Sequence, residues 1–220
     1  MPSLIMIEDM QPKQETRYSA VLLLGPTGSG KTPLGQLVEG RGLWGLRCLH
    51  FDFGHEMRQS IRKDSQVLTA TERELVARML RTGALLEDEH FPVAFKIFQG
   101  FLTSHNADRR TLIVLNGLPR HTGQAEHMKE VVHMQAVISL ECTAEAVMQR
   151  INTDAGGDRA GRIDDSLEEV QRKLELFGQP IAPLVDYYKT RHVGIISIEV
   201  GPTSSAADTL EKIEHWQHGG

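Results

Sequence analysis

Five short apolar runs punctuate the chain, and between them the apolar positions change to helical spacing. SAVLLL at residues 19–24, LRCLHF at 46–51, RTLIVL at 110–115, MQAVISL at 134–140 and GIISIEV at 194–200 are each bounded by polar or glycine residues and read as buried strands. The first intervening helix is predicted over residues 33–39, with Gly40 as its stop. The second covers 54–63. In the third, Thr71 and Glu74 have capping-box spacing ahead of Leu75, Val76, Met79 and Leu80, and Gly83 ends it. Further helices are expected over 89–102, over 124–132, from the cap Thr143 to about residue 151, and over 205–216. Residues 152–161 (NTDAGGDRAG) read as a polar, glycine-rich loop. A long helix over 164–191 follows, kinked near Pro180 and Pro183.

Strands alternating with helices predict one α/β domain of three layers, α/β/α, around a five-stranded parallel sheet. Ligands of such sheets bind at the carboxyl ends of the strands. Residues 18–52 and 104–216 would form the core. Residues 53–91 would form a helical lobe, and 152–161 a short lid.

The whole-chain properties narrow the classes of partner. At 220 residues the chain suits one medium domain. Its net charge of -5 argues against a nucleic acid or an anionic membrane as global partner. Aromatic residues are only 5%, so the core is expected to consist of Leu, Val and Ile. Cys48 and Cys142 lie in or beside apolar runs and read as reduced, buried thiols. His121, His127 and His133 stand six residues apart, a spacing that does not gather ligands on one helical face. The acidic, interrupted first residues do not read as a signal peptide, and no apolar run approaches a membrane span. A cytoplasmic protein is the expectation.

One motif carries explicit chemistry. Gly25, Pro26, Thr27, Gly28, Ser29, Gly30, Lys31 and Thr32 fit GxxxxGK[ST] between a predicted strand and a predicted helix. Glycines let the loop backbone curl its N–H groups toward phosphate oxygens, and the helix adds the positive end of its dipole. Lys31 supplies a point charge for the β- and γ-phosphates, and the Thr32 hydroxyl can ligate Mg²⁺. ATP and Mg²⁺ are the expected ligands.

Beyond this loop the sequence resembles the adenylate kinase family of nucleoside monophosphate kinases, from about residue 19 to residue 216. HFDFGHEMRQ from His50 is similar to that family's second strand and first acceptor-site helix, and GALLED at 83–88 to its GxLVPD segment. NGLPRHTGQAE from Asn116 is similar to its DGFPR…QAE signature. QRI around Arg150 and GRIDD around Arg162 resemble the arginine sites flanking its lid, and VQRKLELFGQPIAPLVDYY its long helix after the lid. The resemblance implies transfer of the γ-phosphoryl of ATP to a nucleoside monophosphate, most readily AMP, by a monomer of the short-lid type without a zinc site. It implies that Arg58 and Arg120 hold the acceptor phosphate, with Gly117 beside them, and that Gln124 reads the base. Lys31, Arg120, Arg150 and Arg162 would neutralise the transferring group, as phosphoryl transfer requires.

Four positions depart from the family pattern. Asn116 stands where the family has an aspartate that holds water on Mg²⁺, so the metal would be held by Thr32 and, through water, by Asn116. Asp52-Phe53-Gly54-His55 stands where the family has a Ser/Thr-Gly-Asp stretch. The second lid arginine is missing, with Arg159 nearby, and Lys173 replaces an arginine after the lid, giving a charge without the fork. Asp52 opens an alternative: in P-loop kinases of small metabolites, of the shikimate and gluconate kinase type, an aspartate at this place meets the acceptor hydroxyl or the metal. The competing reading of Asp52 is that it only caps the next helix. The substitutions at Asn116 and Lys173 leave a third reading, a nucleotide-binding regulatory module with little catalysis.

Overall fold

The structure is a computed structural model that describes residues 17–82, 86–154 and 181–216. Five strands, β1 (Tyr18–Leu24), β2 (Cys48–Asp52), β3 (Leu112–Asn116), β4 (Val132–Glu141) and β5 (Gly194–Glu199), form one sheet in the order β2-β3-β1-β4-β5. Every pairing is parallel. The helices are α1 (Lys31–Arg41), α2 (Phe53–Ser60), α3 (Ala70–Thr82), α4 (Phe91–Ser104), α5 (Thr122–Met128), α6 (Ala144–Asn152), α7 (described over 181–189) and α8 (Ala206–Glu214). A 3₁₀ turn, Asp88–His90, leads into α4. The three-layer α/β fold expected from the alternation is therefore what the chain adopts.

Strand periodicity divides the core into two layers. Ala20, Leu22 and Leu24 of β1 point to one face with Leu49, Phe51, Ile113 and Leu115, and pack on α4, α5 and α7. Val21 and Leu23 point to the other face with Leu112 and Val114, against Leu34 and Val38 of α1 and Leu210 and Ile213 of α8. The first layer is less aliphatic than composition suggests, because Phe51, Phe53, Phe91, Phe98 and Phe101 are buried in it and Phe95 packs against it. Phe51 meets Phe98 and Phe101 edge-on at centroid separations of 5.0 and 5.1 Å. Each such ring contributes about 1.5–3 kcal/mol by burial and anchors α4 across β2.

Several boundaries differ from the sequence expectation. Helix α1 runs through Gly40, which is exposed, and stops at Gly42, whose φ of +82° turns the chain and returns its N–H to Val38 O at 2.7 Å. The capping box of α3 is Thr69 with Glu72, not Thr71 with Glu74. Glu72 N–H donates to Thr69 Oγ1 at 3.3 Å, and Thr69 N–H donates to Glu72 Oε2 at 2.9 Å. Helix α5 ends at Met128, and β4 already begins at Val132. The cap Thr143 is as expected, accepting from Ala146 N–H at 3.2 Å. Gly83, residues 155–161 of the expected lid and the helix before residue 181 lie outside the described residues.

Strands β1 and β3 are neighbours, and the connections that follow them run to opposite faces of the sheet, through α1 on one and α5 on the other. The carboxyl end of β1 opens into the crevice that such a reversal creates, and there the glycine-rich loop sits.

Candidate active site

The loop from Gly25 to Thr32 joins β1 to α1. Gly25 has φ +149°, and a Cβ on it would stand 2.6 Å from Ser29 Oγ and 3.0 Å from Leu140 O, so only glycine fits this turn. Gly30, at φ +96°, occupies the N-cap of α1 with no side chain between the helix end and the cleft. Lys31 Nζ donates to the carbonyls of Gly25 (2.6 Å) and Pro26 (2.8 Å), so the ammonium lies inside the curl of the loop. Ser29 is buried, and its hydroxyl has no partner among the described residues.

Arg150 on α6 braces the loop from behind. It is 5% exposed; its Nε donates to Gly28 O at 3.0 Å, and its Nη1 donates to Gly201 O (3.0 Å) and Ser204 O (2.7 Å). One guanidinium thus ties the phosphate loop to the loop after β5. Between the two lies a cleft of about 100 Å³ lined by Ser29, Gly30, Pro33, Arg150, Ala206 and Thr209. The segment 201–205 was absent from the sequence-level site. Its only signal is its place, at the carboxyl end of the last strand.

On the other side of the loop, Thr32, Asp52 and Asn116 converge. Thr32 Oγ1 donates to Asp52 Oδ2 at 2.8 Å, and Asn116 Nδ2 donates to the same carboxylate oxygen at 3.1 Å and to Thr32 Oγ1 at 3.3 Å. Asp52 and Asn116 are register partners at the ends of β2 and β3, which explains their contact. The other carboxylate oxygen of Asp52 accepts His55 N–H at 3.0 Å and caps α2. Beneath them His50, also missed at the sequence level, lies within 3.5 Å of Asn116 Nδ2. Its ring fills the space over Gly35, and burial lowers its pKa below 6.5 despite the carboxylates of Asp52 and Glu39.

Hydroxyl and carboxylate oxygens beside a phosphate loop are the donor set Mg²⁺ prefers when phosphates and water complete the shell. No group of three or more His, Cys, Asp or Glu among the described residues could hold an ion by itself. The residues therefore fit a metal that arrives with a nucleotide.

The two expected acceptor arginines lie at the mouth of the same crevice, and both are exposed. The guanidinium of Arg58 lies over Gly54, with Nη1 3.7 Å from where a Cβ would stand. Arg120 Nε donates to Gly117 O at 3.0 Å, and its Nη2 is 3.5 Å from the Cβ position of Gly117, next to Phe53. Gln124 is only 2% exposed. Its Oε1 accepts Arg120 N–H at 2.8 Å and its Nε2 donates to Leu86 O at 2.7 Å. In this arrangement Gln124 holds the Arg120 backbone rather than offering its amide to the cleft. Arg159, Arg162, Asp164, Asp165 and Lys173 lie outside the described residues.

The sequence profile of adenylate kinase matches residues 23–193, from the phosphate loop through α7. The chain belongs to the adenylate kinase family. An adenylate kinase of Stenotrophomonas maltophilia is 30% identical over 179 residues, 78% of this chain and 86% of that one. One from Prochlorococcus marinus (strain MIT 9211) is 29% identical over 178 residues, 78% of this chain and 84% of the relative. Among solved structures, a gluconokinase from Sinorhizobium meliloti 1021 aligns over 90% of each chain with a TM-score of 0.48 and 15% identity. Membership of the adenylate kinase family makes this protein an ATP-dependent phosphotransferase of the nucleoside monophosphate kinase class. No helix among the described residues is long and apolar enough to cross a membrane.

Proposed function

We propose that the protein transfers the γ-phosphoryl group of ATP to AMP as a monomer. The observation that carries this reading is the placement of cationic groups on two sides of one crevice. Lys31 and the helix α1 terminus stand on the side of β1, while Arg58 and Arg120 stand at the ends of β2 and β3. Two polyanions brought together in line need this distribution of positive charge, and an ionised acceptor phosphate needs no general base.

In this reading the triphosphate lies in the loop from Gly25 to Thr32, with its base in the cleft beside Arg150 and Thr209. Mg²⁺ would be held by Thr32 and, through water, at the ends of β2 and β3 where Asp52 and Asn116 meet, and when bound it neutralises charge on the phosphate oxygens. Arg58 and Arg120 clamp the acceptor phosphate, Gly117 lets Arg120 fold against the end of β3, and Gln124 fixes the Arg120 backbone. Arg162 and Lys173 are assigned to the closing lid side by sequence resemblance alone. Residues 53–91 serve as the acceptor lobe and 152–161 as the lid, whose closure excludes water and suppresses hydrolysis.

The test is a panel of acceptors with ATP and Mg²⁺: AMP, CMP, UMP, GMP, dTMP and hydroxyl metabolites including gluconate and shikimate. Fastest turnover with AMP is expected. Turnover confined to another monophosphate would remove the AMP assignment. Turnover confined to a hydroxyl acceptor would remove the monophosphate reading altogether.

A further inference from the structure

The geometry points to Asp52 as the negative charge that holds the hydrated Mg²⁺ of the bound triphosphate, with Asn116 reduced to a hydrogen-bond donor that orients it. This deepens the metal assignment made above and rests on reading the loop as a Mg²⁺–triphosphate site.

The hydroxyl that a GK[ST] loop offers to Mg²⁺ is that of Thr32. A carboxylate beside it completes such sites, and the carboxylate on Thr32 Oγ1 is Asp52 Oδ2, at 2.8 Å. Asn116 cannot take that part in this arrangement. Thr32 spends its proton on Asp52, so its oxygen is left to accept from Asn116 Nδ2 at 3.3 Å. The same Nδ2 donates to Asp52 Oδ2 at 3.1 Å. Turning the amide over would set its carbonyl oxygen against a carboxylate, a pair with no proton to share. Asn116 therefore presents donors toward the site, and a donor does not ligate a cation.

The pair also explains itself electrostatically. Asp52 and Asn116 are register partners on adjacent parallel strands. Two carboxylates at these positions would repel, and one would hold its proton. One carboxylate with one amide keeps a single full charge at the site. That charge sits on β2, and its second oxygen caps α2 through His55 N–H at 3.0 Å.

The experiment measures binding of AMP-PNP by calorimetry with Mg²⁺ and with EDTA, in the wild type, Asp52→Asn, Asn116→Asp and the reciprocal double variant. Asparagine caps helices as well as aspartate does, so Asp52→Asn separates charge from capping; its melting temperature is the folding control. In the wild type Mg²⁺ should tighten binding. Asp52→Asn should lose about tenfold of that advantage while binding the metal-free nucleotide as tightly or more tightly, because a charge that repels phosphates has gone. The double variant, with the carboxylate moved to β3, should recover the Mg²⁺ advantage to within about threefold. Asn116→Asp alone should make the Mg²⁺ advantage depend on pH, as a coupled carboxylate pair titrates.

The assignment is overturned if Asp52→Asn keeps the wild-type Mg²⁺ advantage, or if the double variant fails to recover it. Absence of any nucleotide binding by the wild type overturns this assignment and the phosphotransfer reading together. The titration contains no acceptor, so a failure of AMP turnover leaves the result for Asp52 standing. Turnover of AMP combined with a Mg²⁺ advantage indifferent to Asp52 defeats this inference alone.

Discussion

Replacing Arg150 with alanine should damage the fold and the triphosphate site together and leave the acceptor side nearly intact. The side chain is 5% exposed and makes three bonds to backbone carbonyls, at Gly28, Gly201 and Ser204. Bonds from a charged donor contribute about 1.5 kcal/mol each at the low end of their range, or about 4.5 kcal/mol for the three. Water entering the vacated space would re-hydrate some of the carbonyls and recover roughly a third, leaving a loss of about 3 kcal/mol. For a chain of this size that corresponds to a melting temperature lower by about 6–12 °C. The loop and the 201–204 segment would also lose their common tether, so KM for ATP should rise about tenfold or more while KM for AMP changes by less than about twofold. Lysine should fall between, since its ammonium reaches fewer of the three carbonyls and has no fork. Thermal melts by circular dichroism and a coupled assay with each substrate varied separately measure both effects. If Arg150→Ala melts within about 2 °C of the wild type, or if both KM values rise together, the brace assigned to Arg150 is wrong.

Three further outcomes are expected. Lys31→Ala should reduce kcat/KM by at least about 10³-fold, because the ammonium that lies against Gly25 O and Pro26 O is the loop's own charge for the phosphates; a variant of near-normal activity would discredit the loop assignment. Gln124→Leu strands Arg120 N–H and Leu86 O in a buried site and should cost about 2–4 kcal/mol of stability and raise KM for AMP; Gln124→Glu, which keeps the acceptor for Arg120 N–H, should do less to KM, and the reverse order would contradict the positioning role. His50 is held neutral by burial, so the unfolded chain takes up its proton first as pH falls: stability should be full above pH 6.5 and decline below it. Denaturant melts of the wild type and His50→Gln across that range check this, since the variant should flatten the slope.

The fold was legible because its grammar is local. An apolar run, a GxxxxGK[ST] loop and a helix fix β1 and α1 without reference to the rest of the chain, and Thr143 announces α6 in the same way. Decisions between equal local options were not legible. Thr69–Glu72 and Thr71–Glu74 offer the same capping spacing two residues apart; burial of Leu68 just before Thr69 and the grip of Lys96 on Glu72 at 2.5 Å, from α4, coincide with the first. Gly40 and Gly42 both look like helix stops, and only the return of the chain toward Leu46 requires the positive φ at Gly42.

At the candidate site the sequence supplied residue types and order, while the bonds came from far along the chain. The partners of Arg150 lie 51, 54 and 122 residues away, and Gln124 reaches Leu86 across 38. Neither distance has a local signature. The choice posed at Asp52, helix cap or cleft carboxylate, was a false one, because a carboxylate has two oxygens and each does one of these jobs.

The parallel register that sets Asp52 beside Asn116 bears on how relatives of this chain are compared. A residue-by-residue alignment scores the ends of β2 and β3 as separate columns and counts two departures. In space the two columns open onto the same few ångströms, and a charge lost from one and gained in the other leaves that volume with the same total. Screens that discard family members as inactive when a single column changes would be better keyed to the sum over such register pairs.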